Sequence, residues 1–418
     1  MIKFTRHTLD NGLRIVHNYD PSTAMVAVNV LYNVGSRDES ASMTGLAHLF
    51  EHLMFGGSEN IPDFDAAIEN AGGTDNAWTS ADFTNFYDMA PASNAETLFW
   101  LESDRMLSLS FSPRSLQVQK GVVIEEFKET HLNRPYGDMG HILRDMLYKT
   151  HPYRWPTIGL EISHIEKVTL PDIRNFFFSH YAPNNAVLAV SGNITADEAM
   201  RLARKWMGPI PRREIAPRLW QPEAPITEPR RRVVRARVPQ AMIVVAFPMP
   251  AYGKPGYLEC DILTDILAAG RASRFFRRLV MGTDIFTDAD ASISGNEEEG
   301  FLMLTGRLVS ADDETVARAE KMLLDEAVQL AEDGNILPAE LERANNRYES
   351  DFTFSSMSYL AKAQALAMAE MHGEDVNDII AQRRAVTLEN LRVTAARVIK
   401  AASSATIHYL PQSSDLNL

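Results

Sequence analysis

The chain has 418 residues, too many for one ordinary hydrophobic core, so two or more domains are expected. With 45% apolar and 23% charged residues it has a globular composition, and a net charge of −14 disfavours nucleic acid and anionic membrane as partners. Cys260 is the only cysteine, which rules out an intrachain disulfide, and no apolar run approaches the roughly 20 residues that span a bilayer.

The opening stretch MIKFTRHTLDNGLRIV lacks an apolar leader. It reads as a strand, a turn at Asn11-Gly12 and a second strand. The cytoplasm is therefore the expected location, the periplasm being the alternative if a signal is removed ahead of residue 1. AMVAVNVLYNVGS, from 24, is a β-rich strand, and a helix carrying TGLAHLFEHLMF follows. GGTDNAWTSADFTNFY, 72 to 87, ends a helix at Gly72-Gly73 and enters a strand. TNFYDMAPASNAETLFWLESDRM is a strand, a short polar turn and an amphipathic helix. FSPRSLQVQKGVVIEEFKE places Pro113 near a helix start, where its missing N–H costs nothing. NNAVLAVSGNITADEAMRLARKWM is a strand, a cap-bearing turn at Thr195 and a helix. The stretch 208 to 229, GPIPRREIAPRLWQPEAPITEP, has six prolines and little periodicity, so it reads as a linker.

Beyond the linker the order of elements recurs. PRRRVVRAR is the solvated start of a strand rather than a nucleic-acid site. QAMIVVAFPMP and GYLECDILTDILAAG repeat the strand and helix of the first half, and GFLMLTGRLVSADDETVARAEKM repeats the strand–turn–helix from 84. ILPAELERANNRYESDF again has a proline near a helix start, and SATIHYLP is a closing strand. This order predicts an α+β fold of two homologous domains, each a mainly antiparallel sheet with helices packed on it. The expected bounds are 1–211 and 230–418, with a linker at 212–229.

HLFEHLMF, residues 48 to 55, carries the chemistry. Leu46, Leu49, Phe50 and Leu53 have helical spacing, so His48 and His52, four apart, share one face and suit two imidazoles converging on a zinc ion. Glu51 lies beside that face, close enough to reach an attacking water without being a ligand. A hydrolytic zinc takes three protein ligands and keeps a fourth position open. Downstream, VVIEEF offers Glu125 and Glu126 after an apolar run, where an acid needs a partner if it is buried. Either acid could complete the set. Two imidazoles and a carboxylate with an open position suit zinc better than cobalt or manganese.

The combination of HxxEH (His48 to His52), GGTDNAWTSADFTNFY, VVIEEF and HPYRWPTIG (151 to 159) resembles the pitrilysin-type zinc metallopeptidases, the group that includes insulin-degrading enzyme and the mitochondrial processing peptidase. Length and order are similar to the half-size members. The resemblance implies one Zn2+ per chain on His48, His52 and Glu126, with Glu125 the fallback, and Glu51 as general base. It also implies that Asn76, Ala77, Trp78 and Thr79 form an edge strand that takes an extended peptide substrate through main-chain hydrogen bonds. His151 is read as structural.

The resemblance fails at two places. An acid often found seven residues before the third ligand is here Gln119. The arginine and tyrosine that active members carry after a run like SRFFRRL fall on Val280 and Thr287, and neither Arg277 nor Arg278 is followed by a nearby tyrosine. An intact zinc set without that pair is the pattern of the zinc subunit of a heterodimer whose related partner supplies the arginine and tyrosine. A homodimer, or a non-catalytic scaffold subunit of the same fold, is the alternative.

Overall fold

The computed structural model describes residues 1–412. The first half contributes strands β1 (Thr5–Thr8), β2 (Arg14–Tyr19), β3 (Met25–Tyr32), β4 (Thr74–Thr79), β5 (Thr84–Pro91) and β6 (Ala186–Gly192). Its principal helices are α1 (Leu46–Leu53), α2 (Ala95–Leu107), α3 (Pro113–Phe127) and α4 (Ala196–Trp206). The second half contributes β7 (Arg230–Ala236), β8 (Met242–Met249), β9 (Phe286–Ser294), β10 (Gly300–Leu308) and β11 (Ala405–Pro411). Its helices include α5 (Tyr257–Ala268), α6 (Asp313–Val328), α7 (Tyr359–His372) and α8 (Leu388–Val398), with an 18-residue helix, Pro338–Ser355, between α6 and α7. No described helix is long and apolar enough to cross a membrane.

The strands form two sheets, in the orders β1-β2-β6-β3-β5-β4 and β7-β11-β8-β10-β9. From β2 and β7 onward the two orders correspond strand for strand. β2–β6 and β7–β11 are the parallel pairs, and the remaining pairs are antiparallel. A helix follows β3 and β8, and another follows β5 and β10. The fold is α+β, and the repeat expected from the order of elements is present at the level of topology.

Local chemistry explains the element ends. Gly12 takes φ +90° in the turn between β1 and β2, where a side chain would be strained. Ser112 caps α3 ahead of Pro113, and Thr195 caps α4 by accepting from the Glu198 N–H. β3 is buried along nearly its whole length because both faces of the sheet are covered. Val26, Val28, Val30 and Tyr32 face the larger core, with α1, α2 and α3. Ala27 and Leu31 face a second, smaller cluster on the opposite side.

That second cluster departs from the expected domain bounds. The cover over Val16, Ala27, Leu31, Val187 and Ala189 is helix α7, through Ala363, Leu366 and Ala367, and α7 comes from the second half of the sequence. Lys362 pairs with Asp20 and Arg6 with Glu370, tying the helix to the end of β2 and to β1. Among the described residues, one compact unit therefore comprises 1–129, 155–221 and 351–379, and the other 130–154, 222–350 and 380–412. A single cut at 212–229 does not separate them. The physical reason is that a sheet with two apolar faces needs two covers, and the first half supplies helices for only one. Residues 211–229 contain neither helix nor strand. Part of the segment is nevertheless anchored: Arg218 pairs with Asp38 at 2.6 Å and donates to Asn33 Oδ1 at 2.9 Å.

Candidate metal centre

Helix α1 buries Leu46, Leu49, Phe50 and Leu53 and turns His48, Glu51 and His52 the other way, half-buried. Phe50 stacks on Tyr181 with ring centroids 4.4 Å apart, which fixes the helix against the core. The helix begins at Gly45, with φ +85°. A Cβ there would lie 2.8 Å from the Ile158 carbonyl oxygen, so this close approach requires glycine.

Two residues along α3 decide between the acids. Val123 and Phe127 are buried and set the rotation of the helix, so Glu126 faces α1 while Glu125 is 74% exposed and pairs with Lys128 at 2.7 Å. Glu126 Oε2 stands 3.6 Å from His48 Nε2 and 3.4 Å from His52 Nε2, and the two Nε2 atoms are 3.3 Å apart. One donor atom from each of the three residues falls within 4.8 Å of the others, and this is the metal-ready cluster among the described residues. Gln119 lies about two turns earlier on the same helix.

The protonation states suit the same purpose. Burial pushes the His48 imidazole down to about 4, so its ring is neutral and offers a lone pair. The Glu126 carboxyl is held below its usual range by its hydrogen bond with His52, against the effect of burial. Metal ligation needs a neutral imidazole and an ionised carboxylate. The donor set therefore fits a zinc ion: two imidazole nitrogens and one carboxylate oxygen converge.

Glu51 is not part of this cluster. Its Oε2 accepts a short hydrogen bond from the Thr79 hydroxyl of β4, and burial raises the carboxyl pKa despite that bond. β4 is one of the two edge strands of its sheet and, among the described residues, pairs with β5 alone. The four residues expected on this strand divide by face. Ala77 packs toward the core that holds α1, while Trp78 packs against the α7 side, so the tryptophan is a packed residue. Asn76 Oδ1 accepts the Ala77 N–H at 2.8 Å.

Sequence reasoning missed two supports of the site. One is the Thr79–Glu51 bond, which no spacing rule reveals. The other is Glu39, buried beside the start of α1, whose carboxyl is pushed up by burial and pulled down by backbone N–H groups of Ala47 and Gly45. A glycine directly before an uncapped helix was the available signal. His151 is buried and accepts the Tyr153 N–H at 3.1 Å, in keeping with a structural role. The loop that follows presses on the segment before α1, with the Trp155 indole donating to the Ser36 carbonyl at 2.8 Å. In the other compact unit, Val280 and Thr287 line a cavity of about 370 Å³ together with Arg271, Phe276, Asp288 and Asp290. Arg278 is engaged with Glu326 at 2.9 Å.

Residues 14–155 match the profile of the insulinase family, peptidase family M16, and residues 167–348 match the profile described as the peptidase M16 inactive domain. The chain belongs to peptidase family M16. Over 413 residues this M16 chain is 26% identical to a Helicobacter pylori protein named zinc protease PqqE, covering 97% of this chain and 92% of that one. The crystal structure of a protease from Helicobacter pylori superposes with a TM-score of 0.90 at 25% identity, covering 98% of this chain and 100% of the other. The yeast protein named mitochondrial-processing peptidase subunit beta is 27% identical over 256 residues, 60% of this chain and 54% of that one.

Proposed function

We propose that this M16 chain is a zinc-dependent peptidase that hydrolyses peptide bonds in extended or unfolded peptides, acting as the zinc-bearing subunit of a dimer. One observation carries the reading. The His48–His52–Glu126 donor cluster shares a helix with Glu51, and Glu51 is tied by Thr79 to an open sheet edge. His48 and His52 would hold the ion through Nε2, and Glu126 through a carboxylate oxygen. Zinc bound there supplies a Lewis-acid charge that polarises a carbonyl and acidifies water.

The chain's own groups do the rest. Thr79 holds Glu51 Oε2, so Oε1 takes the proton of the attacking water and returns it to the departing amine. Burial raises the Glu51 pKa, which suits a group that must accept and then release a proton. The peptide adds to β4 alongside Asn76, Ala77, Trp78 and Thr79, through main-chain hydrogen bonds. Only an extended segment can pair with a strand edge, which favours unfolded peptides over folded proteins.

The partner follows from Val280 and Thr287, which stand where an arginine and a tyrosine would steady the tetrahedral intermediate. A related subunit carrying that pair completes the enzyme. The yeast relative's name as a subunit is in keeping with such a pairing. The same two positions also favour a second reading, a non-catalytic scaffold subunit. The deciding experiment is hydrolysis of a quenched fluorescent peptide library, with metal content measured on the same sample and Glu51→Gln as control. One zinc per chain, with activity that appears alone or on adding a partner and is abolished in Glu51→Gln, is expected. Full activity in Glu51→Gln would refute the assignment of the base, and a metal-free chain would favour the scaffold.

A further inference from the structure

Helix α1 has no cap of its own. Its N-cap is Gly45, which lacks a side chain and cannot gain one, because the Ile158 carbonyl oxygen and Ile165 Cδ1 each lie 2.8 Å from where a Cβ would stand. The first N–H groups of any α-helix need partners from outside the helix. Here they are met from six residues upstream. Glu39 Oε2 accepts the Gly45 N–H at 2.8 Å, and Oε1 accepts the Ala47 N–H at 2.7 Å. Glu39 is only 7% exposed, so water cannot readily replace the carboxylate. Its two oxygens bracket the first turn, and the next residue after Ala47 is His48.

We infer that Glu39 is a positioning residue for the metal centre: its carboxylate sets the rotation and height of the first turn of α1, so that His48 and His52 meet Glu126. This inference rests on the metallopeptidase reading above. The helix has only eight residues, about two turns. Its apolar face sets which side is buried but tolerates small slides along the axis, whereas two short hydrogen bonds from one rigid carboxylate do not. A metal site needs its ligands held to about half an ångström. The helix dipole favours negative charge at this position, against the burial that raises the Glu39 pKa well above its usual range. The neighbouring Thr44 takes up different bonds, accepting the Leu160 N–H and bonding His164, and leaves the α1 amides to Glu39.

The test is the zinc dissociation constant of the full chain, measured by competition with a chromophoric chelator, for wild type, Glu39→Gln and Glu39→Ala. The melting temperature of each zinc-free protein is measured in parallel. Glutamine keeps the size of the side chain but sets an NH2 group against one of the two backbone N–H donors. If Glu39→Ala does not fold, Glu39→Gln alone carries the comparison. Zinc affinity is expected to fall about 10- to 100-fold in variants that remain folded at the assay temperature. Wild-type affinity in both variants, with only a lowered melting temperature, would overturn this inference and leave the metallopeptidase reading standing. A wild-type chain that binds no zinc would overturn both.

Discussion

Replacing Leu366 by alanine should destabilise the unit that carries the metal centre, although the residue lies more than 300 positions from His48 in sequence. Leu366 is 1% exposed and packs in the cluster that holds Val16, Ala27, Leu31, Val187 and Ala189. Removing three buried carbons costs about 2.4 kcal/mol in transfer free energy at about 0.8 kcal/mol each. The cavity adds to that. Several of the neighbours (Ala27, Ala189, Ala363 and Ala367) are alanines with no side-chain freedom to fill the space, so the loss should be about 3–4 kcal/mol, inside the range for buried leucines. Amide hydrogen exchange read by mass spectrometry is the suitable assay, because it reports each sheet separately. Protection in β3 and β6 should fall by roughly two to three orders of magnitude, at about 1.4 kcal/mol per tenfold, with that of β8 and β10 far less affected. Phe354→Ala, at a 67% exposed side chain, is the control and should change little. A loss below about 1 kcal/mol at Leu366 would refute the claim that α7 is the second cover of the first sheet.

Other outcomes follow from the geometry. Glu126→Gln should remove the anionic donor and abolish stoichiometric zinc binding, measured by metal analysis after dialysis, whereas Glu125→Gln should leave it intact because Glu125 faces solvent beside Lys128. The second sheet should also show an acid-sensitive clamp. Burial pushes Glu320 up, but hydrogen bonds from His408, at 2.8 Å, and from Arg231 outweigh it and hold the carboxyl at about 2. Because the folded pKa is depressed below the ordinary glutamate range, the contribution is complete above about pH 4.5 and is lost as pH falls toward 2. It amounts to at most about 3 kcal/mol, less once screening of the exposed Arg231 is counted. Glu320→Gln should therefore flatten the acid limb of a urea-midpoint titration between about pH 4.5 and 2, and an unchanged limb would exclude the clamp.

The candidate donor set was legible in the sequence because two of its three residues obey a local rule. His48 and His52 share a face by helical period alone, and Leu46, Leu49, Phe50 and Leu53 fix which face is buried. The order of elements along the chain, caps such as Thr195, and the breaker-rich 211–229 segment likewise follow from residues close together in the chain. Those rules left Glu125 and Glu126 open, and Glu126 was expected from the family resemblance alone; adjacent helix positions differ by about 100°, and the packing of Val123 and Phe127 sets the rotation of α3 that turns Glu126 toward α1. The same limit hid the Thr79–Glu51 bond, the Glu39 cap and the cover supplied by α7. Each joins segments whose spacing carries no periodic signal. β3 announces that it is apolar on both faces, but which helix covers the second face is decided by shape and exclusion of water among distant parts of the chain, and only the tertiary structure contains that answer.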